Sequence, residues 1–311
     1  MATQTFHYGT GQTYTDLASL ITDIVTGGIT SGDDYLFVQH GSVTDNNSPE
    51  LNVGDGWDVA SSINFMAYPG EEHTGQPNTG ISLTRTSNYG AAINIIGVEA
   101  TILGLEVAST GTGGIAINCY NSSLSTTLHL DSCIVRDSND GIDGLGANST
   151  IIRSLIANNA RYGIYDRKTY KAIQLARCVL AGNGTAVQSG SGVSYTGGQN
   201  VFYGNTTDWN GTGTWTDGYN ASDAVTPPGP DAISTALVSG DFTDAANDDY
   251  SLSSTSATPY HAGIPITGLD TDIVGNSYDS STPSIGPFEL PAAGGSVPPP
   301  VFQNANQQVT S

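Results

Sequence analysis

The sequence predicts an all-β chain: a single parallel β-solenoid with a helical cap at its N-terminal end and an extended C-terminal arm. One observation behind this is a cadence of about 22 residues through the middle of the chain, the length of one β-coil and too short for a helical repeat of this composition. LDSCIVRDSNDGI, IRSLIANNARYGI, LARCVLAGNGTAV and GGQNVFYGNTTDW can be laid over one another. Each holds a short apolar run, a small or amide residue and a second short apolar run. In that alignment Cys133, Leu155, Cys178 and Val201 share a column, and Asp137, Asn159, Asn183 and Asn205 fall within a residue of another. The other observation is composition. Of 311 residues 39 are Gly, and only 12% are charged. Short strands between tight turns need this, because Gly and Asn accept positive φ at little cost.

From the N-terminus, residues 1–34 read as a cap. Leu17, Leu20, Ile21, Ile24 and Val25 recur at helical spacing, so a helix is expected from Asp16 to about Thr26, with Thr15 as N-cap and Gly27-Gly28 as terminator. The first clear strand is Tyr35–Gln39, and the solenoid is expected over 35–290. Its coils pass through AINIIG, ATILGLEVAS, GIAINCYN and TTLHLDSCIV before the four-fold cadence. Asn159, Asn183 and Asn205 are expected to form an amide ladder at a turn between sheets. Over 206–247 the pattern gives way to polar, turn-rich sequence, which reads as a long loop excursion. Residues 291–311 carry no charged side chain and read as a polyproline-like arm.

The run YGTGQTYTDLASLITDIV, followed by YLFVQHGSV and INFMAYPGE, resembles the entry to right-handed parallel β-helix proteins of the pectate-lyase-like superfamily, where a "G.G..Y..L" opening leads into a capping helix. GLDTDIVGNSYDSSTPSIGPFEL is similar to the closing coils of bacterial and viral members, which end on a "D..G......IG.FE" phrase. The resemblance covers most of residues 5–290 and implies a single right-handed parallel β-helix. Its motifs are structural punctuation, so it speaks of architecture rather than activity. The opening MATQTF…YGTGQTYTDL further resembles virion proteins of tailed bacteriophages.

Net charge is −21, because there are only eight Lys and Arg against 29 acids, and no base precedes Arg85 or follows Arg177. Such a surface repels phosphate backbones, so nucleic acid is not an expected partner. No basic amphipathic helix, membrane span or secretory signal is legible. The three cysteines read as small core residues. Cys133 and Cys178 are separated by an intervening coil, hence by about 9–10 Å, too far for a disulfide.

For polysaccharide-cleaving members the resemblance implies carboxylates in a side cleft, with calcium and a base in lyases or an Asp pair in hydrolases. Asp131, Asp137, Asp140, Asp143 and Asp166 read as falling on consecutive coils, in the same region as Arg136, Arg153, Arg161, Arg167, Lys168, Lys171 and Arg177. One reading makes Asp140, Asp143 and Asp166 acid/base groups or calcium ligands, with Arg153 or Arg177 clamping a sugar acid. Trp209, Trp215, Tyr219, Tyr162 and Tyr165 would then be stacking platforms. A second makes the same face a docking patch, chiefly Arg161, Arg167, Lys168 and Lys171. A third is ordinary cross-coil ion pairing. DSNDGIDG fails the calcium-loop spacing, because Gly141 stands where a ligand belongs. No cofactor is therefore expected, calcium being the one cation the acidic surface would take. The five histidines show no ligand spacing in sequence.

Together these features lead to the expectation of a non-enzymatic structural protein of a virus particle: a phage head decoration, spike or tail-associated component. It would assemble in the host cytoplasm, as a trimer and with other virion proteins. Contacts would run through its termini, including Pro291, Pro298, Pro299, Pro300, Val301 and Phe302. The alternative is a polysaccharide-degrading or glycan-binding β-helix, virion-borne or secreted, that meets a host-surface glycan.

Overall fold

The computed structural model describes residues 2–57, 60, 62–120, 126–167, 171–224, 227–233 and 235–290. The expected contacts of Lys168, Pro291, Pro298, Pro299, Pro300, Val301 and Phe302 lie outside them.

Short strands follow one another around three parallel sheets of nine, seven and eight strands. One coil runs Thr127–Asp131, Ile134–Arg136 and Asp140–Asp143, contributing in turn to sheets A, B and C. Each strand pairs with its counterpart one coil on, so about seven coils stack into a parallel β-helix. Inside, like residues stand over like. Sheet A stacks Phe37, Phe65, Ile102, Leu130, Ile151 and Leu175. Sheet B stacks Val107, Val135, Ile156, Leu180 and Phe202, and sheet C stacks Ile93, Ile117, Ile142, Ile164 and Val187. These columns make one continuous core.

Strand β1 (Thr3–Gly9) pairs with β2 (Asp34–His40) and starts sheet A. Between them helix α1 (Leu17–Gly27) buries Leu17, Leu20, Ile21 and Ile24 over the first coil. Its N-cap is Asp16, one residue later than Thr15, because the Asp16 carboxylate accepts from the Ser19 N–H (2.8 Å). Gly28, at φ 90°, ends it.

Sheet B is bent away from its neighbours at both ends, and each bend repeats one device. Ahead of the strand, Ser132, Arg153, Arg177, Gln199 and Tyr219 all take left-handed φ of 47–59°; behind it Asp137, Asn158, Gly182 and Gly204 take 51–65°. The next residue in each coil carries a ladder. Asn159 donates from both its backbone and its amide to the Asn183 Oδ1 (3.1 and 3.0 Å), and Asn183 does the same to Asn205 (3.0 and 3.0 Å). Ser138 and Ser109 extend this ladder toward the N-terminus.

A second ladder stands at the other bend. The Cys133 N–H donates to the Ser154 hydroxyl (3.2 Å), that of Cys178 to the Asn200 Oδ1 (3.0 Å), and that of Asn200 to Asn220 (2.8 Å). The alignment of the repeats is therefore corrected by one residue in alternate coils. Cys133 and Cys178 stand with Ser154 and Asn200 in the bend, while Leu155 and Val201 stand in the strand with Ile134 and Val179. Likewise Ser138, and not Asp137, belongs to the asparagine ladder. All three cysteines are buried, and none forms a disulfide among the described residues.

The second half of the chain departs further from expectation. Thr207–Gly211, Thr214–Trp215 and Ala221–Ser222 continue sheets C, A and B, so the start of the presumed excursion is a last coil. Residues 237–290 are not closing coils. They turn back along the outer face of sheet B and build a second core there: Leu237, Phe242, Tyr250, Leu252, Ile273, Ile285 and Phe288 against Ile134, Leu155, Val179, Val201 and Ala221. Sheet B is apolar on both faces for this reason, as CIV, LIA, VLA and VFY already show.

Two arginines fasten the return. Arg177 is fully buried, donates to the carbonyls of Ser284 (2.9 Å) and Ile264 (3.2 Å), and lies 3.8 Å from the centre of the Tyr278 ring. Arg153 bridges Asp131 (2.9 Å) to the carbonyl and hydroxyl of Thr271 (3.2 and 2.9 Å). The Asp272 carboxylate accepts from the Glu289 N–H (3.0 Å), and Glu289 in turn accepts from the Ser284 hydroxyl (2.7 Å).

Arg177→Ala takes the donor from the buried Ser284 carbonyl and from the part-buried Ile264 carbonyl. We predict a loss on the order of 3 kcal/mol, with proteolysis of the 237–290 return preceding global unfolding; unchanged protease resistance would contradict the clamp. Asn183→Ala strips partners from Asn159 and from the Ile156 carbonyl. It is expected to cost about 2–4 kcal/mol in urea denaturation, well beyond the few tenths expected of an exposed Asn→Ala.

Candidate functional site

The acidic residues singled out in the sequence lie on two consecutive coils, and the basic ones reach a third. Asp131, Asp137, Asp140 and Asp143 belong to one coil and Asp166 to the next. Asp140 opens and Asp143 closes the same sheet C strand, each only 1% exposed. Both are met from the following coil. The Arg161 guanidinium binds both oxygens of Asp140, with Nε at 2.8 Å, and Arg167 reaches the Asp143 Oδ2 at 2.7 Å. Lys171 pairs with Asp166 in a buried contact and also donates to the Leu145 carbonyl. Among the described residues, these three carboxylates thus face three cations.

Arg161 and Arg167 remain about half and one-third exposed and are interleaved with aromatic rings. Arg167 lies 4.8 Å from the Tyr120 ring and 4.5 Å from that of Tyr165; Arg161 lies 5.6 Å from Tyr165 and 4.9 Å from Tyr162. The rings of Tyr162 and Tyr165 are themselves 4.4 Å apart. Tyr120–Arg167–Tyr165–Arg161–Tyr162 is accordingly a single stacked row on the flank of the solenoid.

Burial pushes the Asp143 carboxyl up to about 6, with Arg167 pulling it down and Asp140 adding to the rise. Its Oδ1 accepts no hydrogen bond from the described residues. The pair of arginines proposed as a sugar clamp lies elsewhere: Arg153 and Arg177 face the C-terminal return.

The tryptophans named as platforms sit at the end of the barrel. Trp209 and Trp215 are 5.2 and 5.1 Å from the Tyr195 ring and pack on the main core, while Tyr219 packs on the second core. A cleft of about 340 Å³ beside them is lined by Asn205, Thr206, Thr207, Asp208, Trp209, Ala224 and Pro228. It holds one carboxylate, Asp208, raised by burial and held by the Ser222 hydroxyl (2.5 Å) and the Asn205 amide (3.0 Å).

The sequence reading missed a polar column along sheet C. The register places Asn94, Asn118, Asp143, Tyr165, Gln188 and Asn210 at one position on six successive coils. The Asn118 amide donates to Asn94 (2.8 Å) and that of Asn210 to Gln188 (2.9 Å). Extending the alignment to IAIN, DGID, YGIY, TAVQ and TDWN would have shown it. The fold also brings His7 and His40 together, ring nitrogens 2.7 Å apart, with His40 stacked on Tyr68. Among the described residues no group of three or more His, Cys, Asp or Glu is placed to hold a metal ion. No described helix is long and apolar enough to cross a membrane. Burial pushes the Cys133 and Cys178 thiols up to about 12, which leaves them unreactive protonated core residues.

No family model matches the chain, and no curated protein matches it. Among solved structures it is similar to the crystal structure of pectate lyase Pel9A, with a TM-score of 0.46 and 11% identity over 93% of this chain and 96% of that one. The parallel β-helix itself is fixed by the strand register described above.

Asp143 holds its proton to about pH 6 in the fold against about 3.8 unfolded. Its contribution favours folding below pH 3.8 and is lost as pH rises through 6. The predicted observation is a carbon-detected NMR titration of this carboxyl centred near 6, moving higher in Arg167→Gln. A midpoint near 4, unmoved by that substitution, would contradict the assignment.

Proposed function

We propose that this chain is a non-enzymatic β-helix serving as a surface or assembly protein, and in the finer form of that reading a head-decoration, spike or tail-associated protein of a tailed-bacteriophage particle. The observation that supports it most is how the chemistry-bearing residues are used. Asp140, Asp143 and Asp166 are buried against Arg161, Arg167 and Lys171, and Arg153 and Arg177 are committed to the C-terminal return. A general acid or base has to reach the proton it moves, and a carboxylate closed behind a guanidinium does not. The cleft at the end of the barrel offers a single carboxylate where glycoside hydrolysis uses two.

The virion part of the proposal draws on the resemblance of the opening residues and on a surface of net charge −21, which stays soluble and repels a packaged genome. In this reading the protein is a homotrimer held through its termini, on the particle surface, after assembly in the host cytoplasm. A polysaccharide-cleaving β-helix, virion-borne or secreted, is the second reading. The observation favouring it is Asp143, whose carboxyl at about 6 is tuned toward the range of a general acid.

Two measurements separate them. Incubation with neutral and acidic polysaccharides is expected to release neither new reducing ends nor unsaturated products. Release abolished by Asp143→Ala would establish the enzyme. Light scattering is expected to give three times the 32.1 kDa chain mass, and antibody labelling to decorate particles in electron micrographs. A monomer found only free of particles would sink the assembly reading.

A further inference from the structure

The flank of sheet C combines two features that neither ion pairing nor packing requires. One is the row Tyr120–Arg167–Tyr165–Arg161–Tyr162, half exposed, with the guanidiniums lying over the tyrosine rings. The other is the column Asn94, Asn118, Asp143, Tyr165, Gln188 and Asn210, which runs the length of the solenoid and crosses the row at Tyr165. The strands carrying it repeat at about 4.8 Å. Asn94, Asn118, Tyr165 and Gln188 are half-buried and Asn210 is exposed, so amide groups line an accessible face on both sides of the aromatic row.

We infer that this flank binds a neutral oligosaccharide laid along the solenoid axis, without cleaving it. The inference rests on the reading of the face as a contact surface and names what it contacts. A sugar ring has an apolar C–H face that packs on an aromatic ring and an edge of hydroxyls that both donate and accept. Amide side chains match that edge because they also do both. The rings are ordered before binding by the guanidiniums beside them, so little side-chain entropy is lost when a ligand arrives.

Charge selects the neutral class. Arg161 and Arg167 are each already balanced by a buried Asp, so among the described residues of this row an incoming carboxylate or sulfate finds no uncompensated cation. It would also approach a chain of net charge −21. The buried Asp143 carboxylate behind Arg167 is a poor neighbour for an anion.

The test is binding of the full chain to an array of immobilised neutral, uronate-containing and sialylated oligosaccharides, followed by calorimetric titration of the best neutral hit. Expected are retention of neutral glycans only and little change in affinity between 0.05 and roughly 0.5 M NaCl, since no ionic contact is screened. Affinity should fall by about tenfold or more in Tyr165→Ala, the equivalent of losing one stacking contact. Gln188→Ala, on a surface amide outside the ion pairs, should weaken binding with the thermal transition unchanged. Tyr68→Ala, on sheet A, should leave binding intact.

Retention of acidic glycans alone with strong salt dependence would overturn the inference, as would no retention of any glycan at high micromolar protein. So would neutral binding indifferent to both sheet C substitutions. Chromatography of the recovered glycan keeps the two readings apart. Shortened chains would refute the non-enzymatic function, whereas intact chains without binding would refute only the ligand.

Discussion

Everything in this molecule depends on how the backbone turns around sheet B. A coil that bends sharply exposes N–H and C=O groups inside the protein, where each unmet group is costly. Two ladders meet them, one of Ser and Asn from Ser109 to Asn205 and one from Cys133 to Asn220, and each rung bonds to the next coil. The rungs can only bond when the coils are in register. Register in turn stacks Val107, Val135, Ile156, Leu180 and Phe202 inside and Ile134, Leu155, Val179 and Val201 outside. The polar turn and the apolar core are thus one constraint seen from two sides.

The same bends explain where the arginines ended up. Arg153 and Arg177 stand in left-handed conformation, a position that usually costs a side chain about 1 kcal/mol or more. Their contacts with Thr271, Ser284, Ile264 and Tyr278 hold the C-terminal return against sheet B and offset that cost. Without the return, the outer face of sheet B would be an exposed apolar strip from Ile134 to Ala221. Sheet C has no such cover among the described residues. Its flank is polar and aromatic, with Asp140 and Asp143 paired to Arg161 and Arg167.

The coil period, the cap helix, the asparagine ladder and the buried cysteines were all legible in the chain. Each depends on local residue type repeating at fixed spacing: Asn where a bend needs an amide, Leu and Ile at helical intervals in 17–25. Less legible was the phase of the repeat. Cys133 and Leu155 look equivalent as apolar residues, yet one sits in a bend and the other in a strand, and only the ladder bonds tell them apart. The second core was half visible, since VLA and VFY are apolar without alternation.

The sequence by itself determined that the chain stacks coils, because a 22-residue spacing of apolar runs, amides and glycines has few other ways to satisfy its backbone. It also determined the net charge of −21. Only the tertiary structure decided which carboxylate meets which cation, that Arg153 and Arg177 point to the return rather than a substrate, and that Tyr120 joins Tyr162 and Tyr165 in one row. The Arg161–Asp140 contact joins residues 21 positions apart and the Arg153–Thr271 contact residues 118 apart. Spacing along the chain fixes what one coil does, but a contact between coils exists only once the register of the stack is set.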